Sequence, residues 1–164
     1  MNTLFKTIMT GVLLFLAIAG MNAQNARAKL NQVELLRKFI GSWKFETGKD
    51  TFAFAEYKSC GTGLEGTIHL VTRGKTIMEE KLFWGFDLNG KGIGTTIFKG
   101  STMQFYSFVF TSQSHYAYAP YMEDSNPATA SIRFEGEFKS PGMMVETSYV
   151  NDKPVATINV SRVK

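Results

Sequence analysis

Two periods divide the chain. Leu30, Val33, Leu36, Phe39 and Ile40 recur at helical spacing and make one apolar stripe, whereas beyond Gly41 apolar and polar residues alternate. Asn31 with Glu34 three residues on forms a capping-box-like start, and Leu30 with Leu35 supplies the matching hydrophobic staple. Gly41 offers a stop where a left-handed residue is wanted. The helix predicted over 31–40 is about nine residues long, too short to be stable unpacked. It is therefore expected to lie across a barrel opening as a lid or plug.

The alternating part predicts strands near 42–48, 51–58, 63–72, 75–86, 92–98, 102–111, 114–119, 129–138, 143–150 and 154–163. Turn signals separate them: Cys60-Gly61, Arg73-Gly74, Asn89-Gly90, Lys99-Gly100, Pro141-Gly142 and Asn151-Asp152. Connections this short require antiparallel neighbours. Evenly spaced strands joined by hairpins fit an up-and-down barrel or a sandwich. The expected fold is all-β: an antiparallel up-and-down barrel of about ten strands with one short N-terminal helix capping it. Residues 119–128, with Pro120 and Pro127, read as a loop at one rim.

Several strands carry apolar residues on both faces. In 75–86, Met78, Leu82, Trp84 and Phe86 share one face, while Ile77 and Phe83 share the other with Glu79 and Lys81; in 102–111, Met103, Phe105 and Val109 oppose Tyr106, Phe108 and Phe110. A one-faced sheet would alternate more cleanly. Eight strands already enclose room for one small ligand, and ten enclose more, which favours a cavity over a solid core. One candidate wall is the face of Phe52, Phe54 and Glu56; another is Tyr106, Phe108 and Phe110 beside Met78, Leu82 and Trp84. The candidate ligand-binding residues are Phe54, Glu56, Met78, Trp84, Tyr106 and Phe108. A one-residue change of register would turn either wall outward.

The first residues are expected to leave the fold. Lys6 gives a positive start and residues 8–19 an apolar run of signal-peptide length, short of the about 20 residues of a membrane span. Cleavage fits after Ala19 or after Ala23, so residues 1–23 are expected to be a signal peptide and 24–164 one domain with a single core. Export to a periplasmic or extracellular location follows, with no membrane span after processing. Hydrophobic residues at 44% and aromatic residues at 13% suffice for that core. The net charge of +4 is scattered over separate segments, unlike the basic stripe of a nucleic-acid binder, so no nucleic-acid partner is expected. Cys60 is the single cysteine, which excludes an intramolecular disulfide; it reads as a semi-buried, unactivated thiol.

Residues 35–43 (LLRKFIGSW) resemble the short helix and Gly-x-Trp opening of the lipocalin-like, or calycin, barrels. Trp84-Gly85-Phe86-Asp87 followed by Asn89-Gly90-Lys91 is similar to the Gly-aromatic-Asp hairpin of exported bacterial lipocalin-like domains of unknown function. The resemblance implies that Trp43 packs at the closed end of the barrel against a basic side chain near the last strand, and Arg162 stands at that position. Both are structural plug residues by this reading. Some relatives bind haem through a His, but Lys44-Phe45-Glu46-Thr47 replaces the Gly-rich stretch of that subfamily. No cofactor is expected.

His69 and His115 are far apart and neither has metal-ligand spacing, so no metal site is expected. Glu79 and Glu80 are adjacent in a strand, point to opposite faces and cannot act together. Glu135 and Glu137 share a face with Arg133 and read as a solvated face. Asn159-Val160-Ser161 matches a glycosylation acceptor inside a strand. Three function classes remain: a binding protein for a small lipid-like or aromatic molecule, a cell-envelope structural or interaction protein with a filled barrel, and a non-metal cyclase or isomerase using the pocket. The first fits best, with a small apolar molecule as partner; the pattern leaves the oligomeric state open.

Overall fold

The Asn31 side chain accepts a hydrogen bond from the Glu34 N–H at 3.1 Å and so caps α1 (Gln32–Leu36). These coordinates are a computed structural model describing residues 30–99, 102–121 and 126–163. The expected signal peptide, 1–23, lies outside the described residues, as do Gly100 of one expected turn and residues 122–125 of the expected rim loop. The helical segment is shorter than its apolar stripe predicts: after Leu36 it tightens into a 3-10 turn (Arg37–Phe39). Tightening of this kind is common at helix ends, and here it delivers Phe39 into the barrel.

Asn31–Lys164 forms one compact unit. Its ten strands are β1 (Gly41–Gly48), β2 (Thr51–Cys60), β3 (Gly63–Thr72), β4 (Lys75–Phe86), β5 (Gly92–Phe98), β6 (Met103–Phe110), β7 (His115–Pro120), β8 (Ile132–Ser140), β9 (Met143–Val150) and β10 (Lys153–Val163). Each pairs antiparallel with its chain neighbours, and β1 pairs with β10 to close the barrel. Closure leaves no free sheet edge. The largest departure from the predicted strands is at β8, which starts at Ile132 rather than 129. Asn126 caps a 3-10 turn (Pro127–Thr129) there by accepting from the Ala128 N–H at 3.2 Å.

The hairpins follow their turn chemistry. Arg73-Gly74 and Asn151-Asp152 have positive φ at both central residues, the form that suits the strand twist. In the β4–β5 connection the Asp87 carboxylate accepts from the N–H groups of Asn89 and Lys91, both at 2.8 Å. Cys60 ends β2 and is exposed, not semi-buried as expected, because it lies at the hairpin tip.

One end of the barrel is filled. Trp43 is fully buried and donates its indole N–H to the Phe39 carbonyl at 2.6 Å. The Arg162 guanidinium lies 4.5 Å from the Trp43 ring and donates to the carbonyls of Ile40, Lys38 and Pro141. A side chain on Gly41 (φ +121°) would meet that guanidinium at 2.7 Å, so this glycine answers both a backbone and a space requirement. At the other side of the helix, Gln32 both donates to the Phe110 carbonyl (2.9 Å) and accepts from its N–H (2.8 Å), which extends the β6 ladder with a side chain.

Candidate functional site

Above this plug the barrel encloses a cavity of about 160 Å³. Leu36 and Phe39 from the helical segment form its base, and Phe39 packs on Tyr57 and Tyr116 at ring distances of 6.0 and 5.0 Å. Trp84, Tyr106 and Tyr118 line the wall, with Trp84 stacked parallel to Tyr106 and edge-on to Tyr118.

The rings fit because glycine faces them across the strand pairs. Tyr57 pairs with Gly66, Trp84 with Gly94, Phe108 with Gly92 and Tyr116 with Gly136. A Cβ on any of these glycines would press on the ring opposite, most severely at Gly136, where it would overlap the Tyr116 phenol. Ring over glycine is a known way to fill a curved sheet. Here it also sets where the tyrosine hydroxyls end.

Two carboxylates enter this aromatic space. Tyr116 and Tyr118 donate their hydroxyls to the two oxygens of Glu146, at 3.0 and 2.9 Å. Glu146 lines the cavity, and burial pushes its carboxyl above the usual range despite the two donors. Partial burial likewise raises Glu80, whose carboxylate makes no hydrogen bond or ion pair among the described residues. The Tyr57 hydroxyl is also without a hydrogen-bond partner among them, although the residue is only 9% exposed. Burial raises its pKa first, then the charges of Glu146 and Glu80, which places it near both acids. Tyr116 and Tyr118 are raised by burial and then by Glu146. Among the described residues no Lys, Arg or His lines the cavity.

Of the candidate ligand-binding residues, Trp84 and Tyr106 line the cavity, and Phe108 packs against Trp84 at 4.9 Å. Met78 lies beyond Glu80 toward the start of β4, is 38% exposed and does not line it. Phe54 and Glu56 are on the opposite face of β2 from Tyr57 and so on the outer wall, where Glu56 pairs with Lys58 at 3.2 Å. The wall of Phe52, Phe54 and Glu56 is therefore outside, and the wall of Tyr106 and Trp84 is inside.

The residues that sequence reasoning missed are Glu80, Glu146 and the tyrosines 57, 116 and 118. A signal existed for one of them: Glu80 alternates in phase with Met78, Leu82, Trp84 and Phe86, a lone acid on an apolar face. Glu79 does point the other way, toward Lys99 at 3.6 Å.

Outside the barrel, the expected solvated face of Arg133, Glu135 and Glu137 is only partly that. Arg133 is 8% exposed, set over the Tyr149 ring at 4.5 Å and bonded to Glu135 (2.6 Å), Asp152 (2.8 Å) and the Ala130 carbonyl (3.3 Å). The segment around Pro127–Thr129 packs on β6, β7 and β8 and buries Ser107, Ala117 and Ala119 with it. His115 contacts Ser112, Ser114 and Glu137, and His69 lies across from Glu79 on the strand pair. Among the described residues no group of three or more His, Cys, Asp or Glu is placed to hold a metal. No helix among them is long and apolar enough to cross a membrane. Neither a protein-family model nor a curated protein matches the chain, which leaves the acid-bearing aromatic cavity as the feature from which its chemistry is read.

Proposed function

We propose that this chain is an exported, lipocalin-like binding protein that holds one small molecule inside its barrel. The observation that carries the reading is the aromatic-lined cavity with polar groups left without protein partners, Glu80 and the Tyr57 hydroxyl. Small-molecule sites combine apolar walls with a few placed polar groups. The volume narrows the ligand class. A cavity of about 150 Å³ takes up benzene, so about 160 Å³ suits a single-ring compound and not a lipid chain. Resemblance of the helix, Gly41-x-Trp43 and the closing Arg162 to calycin barrels supports the same function class.

Native mass spectrometry of the protein isolated from its own cells tests this directly. The expected result is a mature chain beginning at residue 20 or 24 with a bound mass of single-ring size. A chain that carries no adduct, and whose Trp84 fluorescence and melting temperature no single-ring compound shifts, would defeat the proposal.

A second reading, a non-metal isomerase or cyclase, draws on the raised carboxyls of Glu146 and Glu80 facing a cavity. It predicts that a bound compound exchanges carbon-bound hydrogen when incubated with the protein in D₂O. Recovery of the compound without deuterium excludes it.

A further inference from the structure

The chemistry of the cavity goes beyond size. Its two carboxylates, the buried Glu146 and the half-buried Glu80, have no cationic partner among the described residues, although a charge removed from water normally demands one. Glu146 is held by the hydroxyls of Tyr116 and Tyr118, which leaves lone pairs on both of its oxygens. The Glu80 carboxylate has no hydrogen bond or ion pair among the described residues, and the Tyr57 hydroxyl, from a residue lining the same cavity, has no hydrogen-bond partner among them either. Everything else that lines the space is aliphatic, aromatic or Thr96, and ring faces are themselves negative and attract cations. An anion entering here would meet two acids and no donor stronger than a phenol. A neutral apolar ligand would leave the carboxylates unpaired. A cation satisfies both.

We propose, building on the binding-protein reading, that the cavity is a site for a small organic ammonium ion, with the charge held by Glu80 and Glu146 and the apolar body against Trp84, Tyr106 and Phe39. The Tyr57 hydroxyl is placed to orient between the acids and the ligand. Selection against neutral analogues comes from the same acids, because a neutral hydroxyl of equal size returns a hydrogen bond but no compensating charge.

Proton linkage follows from the surroundings. The ionisable groups that interact with Glu146 are Tyr116 and Tyr118 on β7 and Tyr57 on β2, and Glu80 on β4 lines the same cavity. Its register partners on β8 and β10 are Gly136 and Ile158, and the helical segment offers Leu36 and Phe39. Glu80 is flanked by Ile68 and Phe98 on its paired strands and faces Tyr57 and Tyr106. Among the described residues no basic group lines the cavity to compete with the ligand. Burial favours the protonated acids in the empty barrel, so a bound ammonium ion displaces protons to solvent. Affinity for it rises with pH through the raised carboxyl range and falls only as the amine itself deprotonates, near the roughly 10 of a primary ammonium.

The test compares benzylamine with benzyl alcohol, a pair matched in size and differing in charge, by calorimetry on the mature protein at pH 5 and pH 7. Fluorescence of Trp84 in a Trp43→Phe background gives the same affinities independently. Benzylamine is expected to bind at least tenfold more tightly at pH 7 and to lose affinity at pH 5. Proton release is expected in buffers of differing ionisation enthalpy. Glu80→Gln, at a side chain with no partner in the fold, should cut the preference severalfold, and Glu146→Gln, which keeps an acceptor for Tyr116 or Tyr118, should abolish it. Equal affinity for the two compounds, or a preference for the alcohol, overturns the ammonium assignment and leaves the binding-protein reading standing. Binding of neither overturns the ammonium assignment, and the binding-protein reading falls with it only if the protein isolated from its own cells also carries no adduct.

Discussion

Arg133 on β8 and Glu146 on β9 are charges taken from water on adjacent strands, one on the outer wall and one on the inner. Arg133 has a full set of partners: two carboxylates, a carbonyl and a ring face. Its pKa is raised, first by the hydrogen bond from its guanidinium to Glu135. Glu146 has two phenol donors and no cation, and its pKa is raised because burial outweighs those donors. The same contrast separates the two parts of the interior. At the plug, Arg162 spends its donors on three carbonyls and its face on Trp43, whereas in the cavity Glu80 and Tyr57 are left without partners. Ser107 Oγ on the outer wall is buried and also lacks a hydrogen-bond partner, so it is the opening of Glu80 and Tyr57 onto the cavity, and not a missing partner by itself, that marks groups available to a ligand on the proposed reading. On the proposed binding reading, the difference separates residues that hold the barrel from residues open to a ligand.

The largest effect should come from the plug. Trp43→Ala removes a fully buried indole together with its bond to Phe39 and the surface under Arg162. A loss of about 3–5 kcal/mol is expected for a large buried aromatic, measured by chemical denaturation. If Trp43→Ala moves the midpoint no more than a surface substitution does, the plug is not what holds this end.

On the outer wall, Arg133→Met keeps apolar bulk over Tyr149 but leaves the buried Ala130 carbonyl without its donor. Glu135 and Asp152 are exposed enough to rehydrate. The expected cost is about 1–3 kcal/mol, that of one unmet buried acceptor and some packing, with ligand affinity unchanged. A change in affinity at the cavity would show that the two walls are coupled and that the comparison fails.

Gly136→Ala attacks the border between the two roles. The added methyl would overlap the Tyr116 ring, and overpacking of this kind costs about 1–3 kcal/mol. Because Tyr116 must move, its hydroxyl leaves Glu146, so a loss of ligand affinity should accompany the loss of stability. Stability lost with affinity intact would mean that Tyr116 only fills space.

How much of this was legible in the sequence differs by region. The strands and hairpins were, because alternation and turn residues are local signals, and the Gly41-x-Trp43 opening marked the plug. The inner wall was legible on β4 and β6, where apolar alternation is strong, but not on β2. There Phe52 and Phe54 look like core yet face outward, while Ala53, Ala55 and Tyr57 face in. The inward face of a barrel full of rings needs small residues opposite them, which inverts the usual expectation that large apolar residues point inside. Glu146 was hidden for the same reason. It shares its face with Met144 and Ser148, and the alternate positions, Val145 and Tyr149, look more like a core. The helix is shorter than the nine residues its pattern predicts because the apolar stripe continues through the 3-10 turn that brings Phe39 to the cavity.

The smallest stability effect, and the one that most sharpens the comparison, is Glu146→Gln. A carboxyl whose pKa is raised by folding favours the protonated form in the native state. Its contribution is therefore fully present below the unfolded value, about 4.3, and is lost as pH rises through the raised folded value. Glu137 works in the opposite sense, since the hydrogen bond from Lys139 lowers its pKa and its contribution is lost as pH falls. The difference between wild type and variant isolates Glu146 from that background. Gln keeps an acceptor for one tyrosine and carries no charge, so at low pH the variant should lie within about 1 kcal/mol of wild type, the size of one ordinary hydrogen bond. As pH rises toward 7 the wild type should lose stability relative to the variant, and melting temperatures across that range measure the crossing. A difference that stays constant with pH would mean that Glu146 does not titrate inside the barrel, and that the cavity matches its charge as fully as the outer wall matches Arg133.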